Sequence, residues 1–203
     1  MVPPWHSLGY RKRYRHERPA IRGSAEFGEI RGWPLRFRLD RWWDERPRAL
    51  VCMANPSQAG EERNDPTIRQ LLKLVRPLPI GGFTVVNIEP FIASAPRALR
   101  EWRRQAVEAR PRDYGAIQRK NLKMIRELSQ GAAIRIVAWG QLLPELAHAP
   151  RLLRSLSLDF TEALHAFALT KNGHPKHPLA RGRHRIGRRG DLLVWRPATR
   201  EAQ

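Results

Sequence analysis

The stretch Ala49 to Arg69, ALVCMANPSQAGEERNDPTIR, passes from an unbroken apolar run through a polar loop into a helix start. Ala49-Leu50-Val51-Cys52-Met53 has the length and hydrophobicity of a strand covered on both faces, and Asn55-Pro56-Ser57 ends it. Asp65 is placed to accept from the free N–H groups of a first helical turn, and Pro66 suits the first helical position. Ile68, Leu71, Leu72 and Val75 then recur at helical spacing. A buried strand that hands polar side chains to a loop before a helix is how open α/β sheets build sites at their carboxyl edge. The chemistry is expected where Asn55 and Asp65 sit.

Working outward, Leu35-Arg36-Phe37-Arg38-Leu39 alternates strictly and reads as an edge strand with one wet face. Gly81-Gly82 opens a second buried strand, Phe83 to Ile88, near whose end stands another asparagine, Asn87. Arg97 to Val107 reads as a short charged helix. Tyr114, Ile117, Asn121, Leu122, Ile125 and Leu128 share one face of a longer helix that ends near Gly131. Ile134 to Gly140 reads as a third strand, followed by a helix with Pro144 in its first turn and an interruption at Pro150. Leu164 to Leu169 reads as a fourth strand. The polar loop Thr170 to Leu179 and the arginine-rich segment Arg181 to Arg189 follow it, and Leu192 to Trp195 suits a last short strand.

Strands interleaved with helices predict a three-layer α/β fold, with a mostly parallel central sheet of about four strands, flanking helices and an added edge strand. Residues 1–32 read as a basic, flexible arm, 33–197 as a single domain and 198–203 as a tail. Neither GxGxxG nor GxxxxGK[ST] occurs, so no phosphate-loop signature is present.

The 38 Lys and Arg against 19 Asp and Glu leave a formal charge of +19, which favours a polyanionic partner such as nucleic acid. An arginine-rich genomic composition is the alternative source of that charge. The lone cysteine, Cys52, excludes an intrachain disulfide and any thiolate-only metal centre, and fits a cytoplasmic setting. No apolar run approaches the length of a membrane span. A monomer without metal or cofactor is expected.

Met53-Ala54-Asn55-Pro56-Ser57, Asn64-Asp65-Pro66-Thr67-Ile68-Arg69, Val85-Val86-Asn87, Ala138-Trp139-Gly140 and Leu169 to Leu179 occur in that order. Together they closely resemble the bacterial and phage family catalogued as domain of unknown function 1643, over about residues 35–180. A more distant resemblance is to the uracil-DNA glycosylase superfamily. There a strand ends in a water-positioning motif, which Asn55-Pro56-Ser57 looks like, and a later strand ends in a base-recognising asparagine, which Asn87 looks like. A strand closing on a glycine looks like Ile136 to Gly140, and a late His-Pro-Ser loop looks like His177-Pro178-Leu179. Leu179 departs from that serine, and Ser57 departs from a glycine of the mismatch-specific branch. This second resemblance implies a glycosylase-like fold and a hydrolase that cleaves the N-glycosidic bond of a modified or mispaired base.

The residue types suit that chemistry. Asn55 can orient a water, Asp65 can add negative potential beside a sugar cation, and His177 can donate to a base on which charge develops. Those three are the catalytic candidates, although a plain helix cap accounts equally for Asp65 and a loop histidine for His177. Asn87 offers the donor and acceptor needed to read a base edge, and Trp139 a surface for stacking. Ser57, Thr67, Thr170, Lys171 and His174 complete the substrate-binding candidates. Arg69, Lys176, Arg181, Arg183 and Arg185 are candidate phosphate contacts that set register without reading sequence. Two alternatives remain open: a non-catalytic DNA- or RNA-binding protein on the same fold, and a hydrolase of nucleotides or nucleosides.

Overall fold

The computed structural model describes residues 20–141, 148–182, 185–187 and 191–199. Among these, the strands are β1 (Arg22–Ile30), β2 (Trp33–Trp42), β3 (Arg48–Met53), β4 (Gly82–Asn87), β5 (Ile134–Val137), β6 (Leu164–Ala166) and β7 (Leu193–Arg196). The helices are α1 (Pro66–Val75), α2 (Pro96–Ala109), α3 (Pro111–Gln130) and α4 (Ala149–Leu156). All the strands join one seven-stranded sheet in the order β1-β2-β4-β3-β5-β6-β7.

The sheet is mixed, which corrects the expectation of a mostly parallel, glycosylase-type sheet of about four strands. β3 pairs in parallel with β4 and β5, and β5 with β6. The pairings of β1 with β2, β2 with β4, and β6 with β7 are antiparallel. The physical reason for the difference lies in the N-terminal hairpin. Arg31 and Gly32 both take positive φ, 50° and 79°, so the chain reverses in two residues and returns as β2. β1 itself falls within the stretch read as an arm, where Gly23, Ser24 and Gly28 dilute any alternation. β2 is consequently an interior strand rather than an edge, and Arg36, Asp40 and Arg41 along it are buried.

A bulge explains how one strand buries so much charge. Glu26 of β1 pairs with Arg38 and Phe27 with Arg36, leaving Phe37 without an opposite partner. The alternation changes phase there. Leu35 and Phe37 pack with Leu99, Trp102 and Ile117 of α2 and α3, whereas Leu39 joins the cluster under α1.

The layers follow from β3. Val51 and Met53 face Ile68, Leu71 and Val75 of α1, while Leu50 and Cys52 face Ile125 of α3 and Leu152 and Leu156 of α4. Every residue of β4 is buried, as expected for a strand covered on both faces. Pro150, read above as an interruption, instead sits in the first turn of α4, a position where its missing N–H costs nothing. The helix expected to begin around Pro144 lies outside the described residues. Among the described residues no helix is long and apolar enough to cross a membrane.

Candidate functional site

β3, β4 and β5 point their carboxyl ends the same way, and backbone bonds continue past the strands: Ile88 N–H to Met53 O, Glu89 N–H to Ala54 O and Ala138 N–H to Cys52 O, at 2.8–3.0 Å. Asn55, Asn87 and Trp139 are therefore delivered to one rim. There a cleft of about 570 Å³ is lined by Asn55, Ser57, Asp65, Thr67, Asn87, Trp139 and His177, together with Arg36, Ser94, Arg100 and Gln141.

Two arginines of β2 shape the loop between β3 and α1. Arg41 donates from Nε to Asn64 Oδ1 (2.7 Å) and from its terminal nitrogens to the carbonyls of Asp40, Gly60 and Arg63. Arg36 donates to Ala59 O at 2.7 Å. A polar loop with few apolar anchors is thus pinned by guanidinium groups, which makes the positions of Asn55 and Asp65 depend on β2.

Asn55 donates from Nδ2 to Pro56 O (2.9 Å) and Ala93 O (2.7 Å). Its amide nitrogen is committed, and Oδ1 remains the acceptor available to the cleft. Asp65 caps α1, accepting from Ile68 N–H at 2.9 Å through Oδ1, so its cap role is met while the residue also lines the cleft. His177 Nδ1 accepts from Leu179 N–H at 3.1 Å, which puts the proton of the neutral ring on Nε2. Burial lowers the imidazole pKa, and the charge of Asp65 opposes that shift.

Asn87 is 1% exposed, and neither Oδ1 nor Nδ2 has a hydrogen-bond partner. Trp139 Nε1 is likewise buried without one, its ring edge-on to Trp195 at 5.4 Å. An unpartnered buried amide costs about 1–3 kcal/mol, so Asn87 is a deficit that a ligand with a donor and an acceptor side by side would relieve. Asn121, on the apolar face of α3, does not reach the cleft. It donates to the Asn87 and Ile88 carbonyls and braces the strand end. Glu89 lies fully buried beyond it, accepting from Tyr114 Oη (2.9 Å) and Gln118 Nε2 (2.5 Å), with its pKa pushed up by burial to about 7.

Other candidates lie away from the cleft. Thr170, Lys171 and His174 form a tight turn, with Thr170 N–H bonded to His174 O and His174 N–H to Thr170 Oγ1. Lys176 follows that turn with its N–H on Ala168 O, and Arg69 donates to Asn64 O on the exposed side of α1. Arg181 and Arg185 are exposed, and Arg183 lies outside the described residues. Among the described residues no three His, Cys, Asp or Glu side chains are grouped to hold a metal.

Sequence reasoning passed over Arg36. It is 2% exposed, lines the cleft and has a buried Nε without a partner; desolvation lowers its pKa to about 10, partly offset by Asp65. It stays charged at neutral pH. Its place in an alternating run made it look solvated, and only the pairing of β2 on both sides reveals it as buried.

The fold and cleft define a mixed α/β protein with a candidate binding site at the carboxyl ends of its parallel strands. The chain belongs to the family described as protein of unknown function (DUF1643), whose model matches residues 36–179, the stretch on which the motif resemblance to that family rested. No curated protein and no solved structure matches the chain.

Proposed function

We propose that the cleft receives a nucleobase and that the protein hydrolyses the N-glycosidic bond of a modified or mispaired base in nucleic acid, DNA in the first instance. The observation that carries this reading is Asn87, whose buried donor and acceptor both lack partners at the wall of a cleft of about 570 Å³, ample for a heterocycle and its sugar. In the reaction a water adds to the sugar C1′ as the bond to the base nitrogen breaks; the base leaves with the electron pair and takes up a proton, while the attacking water releases one to the Asp65 carboxylate or to solvent. Asn55 Oδ1 accepts from that water, and the Asp65 carboxylate favours the positive charge on the sugar. His177 donates from Nε2 to the departing base: with Nδ1 accepting from Leu179 N–H, the neutral ring that burial favours carries its one proton on that nitrogen. The formal charge of +19 suits a polyanionic substrate. The order of the strand-end motifs, similar to that of the uracil-DNA glycosylase superfamily, adds support at the level of motifs alone.

Incubation with duplexes carrying uracil, hypoxanthine or bulky substituted bases, followed by alkaline strand cleavage, tests the proposal. Products that disappear in Asn55→Ala and Asn87→Ala are expected, and no product across a broad panel removes the glycosylase reading. Arg36 favours a second reading, hydrolysis of a free nucleotide, because a buried cation suits a small substrate with a phosphate of its own. Turnover of nucleotides without action on polymer would select it. Salt-dependent binding with no turnover of either would select a non-catalytic binder.

A further inference from the structure

We propose that the groove between α2, α3 and α4 is a second nucleic-acid site, which holds the phosphodiester backbone of a strand whose nucleotide occupies the cleft. The groove measures about 880 Å³ and is lined by Arg100, Arg103, Arg104, Arg119 and Arg151, with Glu108 the one acid among its lining residues. Arg104 is already matched by Glu101 and Glu108, at 2.7 and 3.0 Å. Arg100, Arg119 and Arg151 are exposed and have no ion-pair or hydrogen-bond partner among the described residues. Unmatched guanidinium groups around one concavity repel one another, and a polyanion relieves that repulsion while accepting forked hydrogen bonds.

Continuity with the cleft identifies the ligand as a strand rather than an isolated anion. Arg100 lines both concavities, so the basic track begins where the cleft ends. A mononucleotide fills one of the two; a strand is needed to use both. The assignment rests on the nucleic-acid reading of the cleft but not on catalysis there.

The test is binding of a labelled thymidine oligonucleotide of roughly a dozen nucleotides across a salt series. The full chain is compared with the triple variant Arg100→Gln, Arg119→Gln and Arg151→Gln. A charge-matched control carries Arg22→Gln, Arg46→Gln and Arg126→Gln, which are exposed ion-paired positions outside the groove. The groove variant is expected to bind at least about tenfold more weakly near 0.1 M salt, with a log–log salt slope shallower by about two. Its thermal unfolding is expected to match the control. Equal losses in both variants, no strand binding by the wild type, or equally effective competition by thymidine monophosphate each overturn the assignment. Base release tests the cleft separately. Groove-dependent binding without product leaves this site standing, and product from a groove variant that still binds like the wild type removes it.

Discussion

Asn121 of α3 donates its side-chain amide to the carbonyl of Asn87 at 2.9 Å, so one asparagine fixes the backbone of another whose own side chain is left without a partner. Removing the brace takes a donor from two carbonyls, of which that of Ile88 keeps the His148 imidazole as a partner. Asn121→Ala is expected to cost about 1–3 kcal/mol in denaturant unfolding and to weaken ligand binding to the cleft as well.

Asn87 is expected to behave in the opposite way. Because its amide satisfies nothing within the protein, Asn87→Leu should leave the stability unchanged or raise it by about 1 kcal/mol, through loss of a desolvated polar group. Binding and turnover should disappear together. A destabilised Asn87→Leu protein would show that the amide has a structural role.

Asp65 separates its cap role from its charge by a pair of substitutions. Asp65→Ala should lose about 1 kcal/mol of stability, whereas Asp65→Asn keeps an equally good cap. If the carboxylate acts on a sugar cation, base release falls by about a hundredfold in Asp65→Asn despite unaltered unfolding. Full activity in that variant reduces Asp65 to a cap.

Stability should depend on pH in two opposing ways. Between about pH 4.5 and 7 the folded chain keeps a proton on Glu89 that the unfolded chain releases. Unfolding free energy then falls as pH rises, by about 3 kcal/mol over the window. Glu89→Gln should remove most of that slope, as urea titrations at pH 5 and pH 8 would show. His177 and His148 act on the acid side: burial lowers both pKa values, so the unfolded chain binds protons that the folded one excludes. Stability is lost as pH falls through the ordinary histidine range near 6.5.

Arg41 holds Asn64, Gly60 and Arg63, and Arg41→Ala should release the whole loop. A loss of about 2–4 kcal/mol is expected, with faster amide exchange across residues 59–64 than in α1.

Local chemistry made half of the cleft readable from sequence. Asp65-Pro66 announces a cap, Asn55 and Asn87 each stand at the end of an apolar run, and these three share one cavity with Ser57, Thr67, Trp139 and His177. The rest depended on partners distant in the chain. Thr170, Lys171 and His174 were named from a polar loop, and the structure folds that loop into a turn closed by Thr170 and His174, outside the lining of the cleft. The mixed sheet was hidden by a reversal at Arg31-Gly32, which lacks the usual asparagine of a two-residue turn, and by a strand too rich in glycine to alternate. The burial of Arg36 is a property of sheet position, which no window of residues encodes.

The extra residue at Phe37 has a further effect on how charge is partitioned. With regular pairing at the same length, Arg36 and Asp40 would project from one side of β2. The phase slip sends Asp40 to Ser24, Thr84 and Arg38, and leaves Arg36 on the loop that carries Asp65. A single unmatched position in a hairpin thus sets a buried cation into the wall of the cleft.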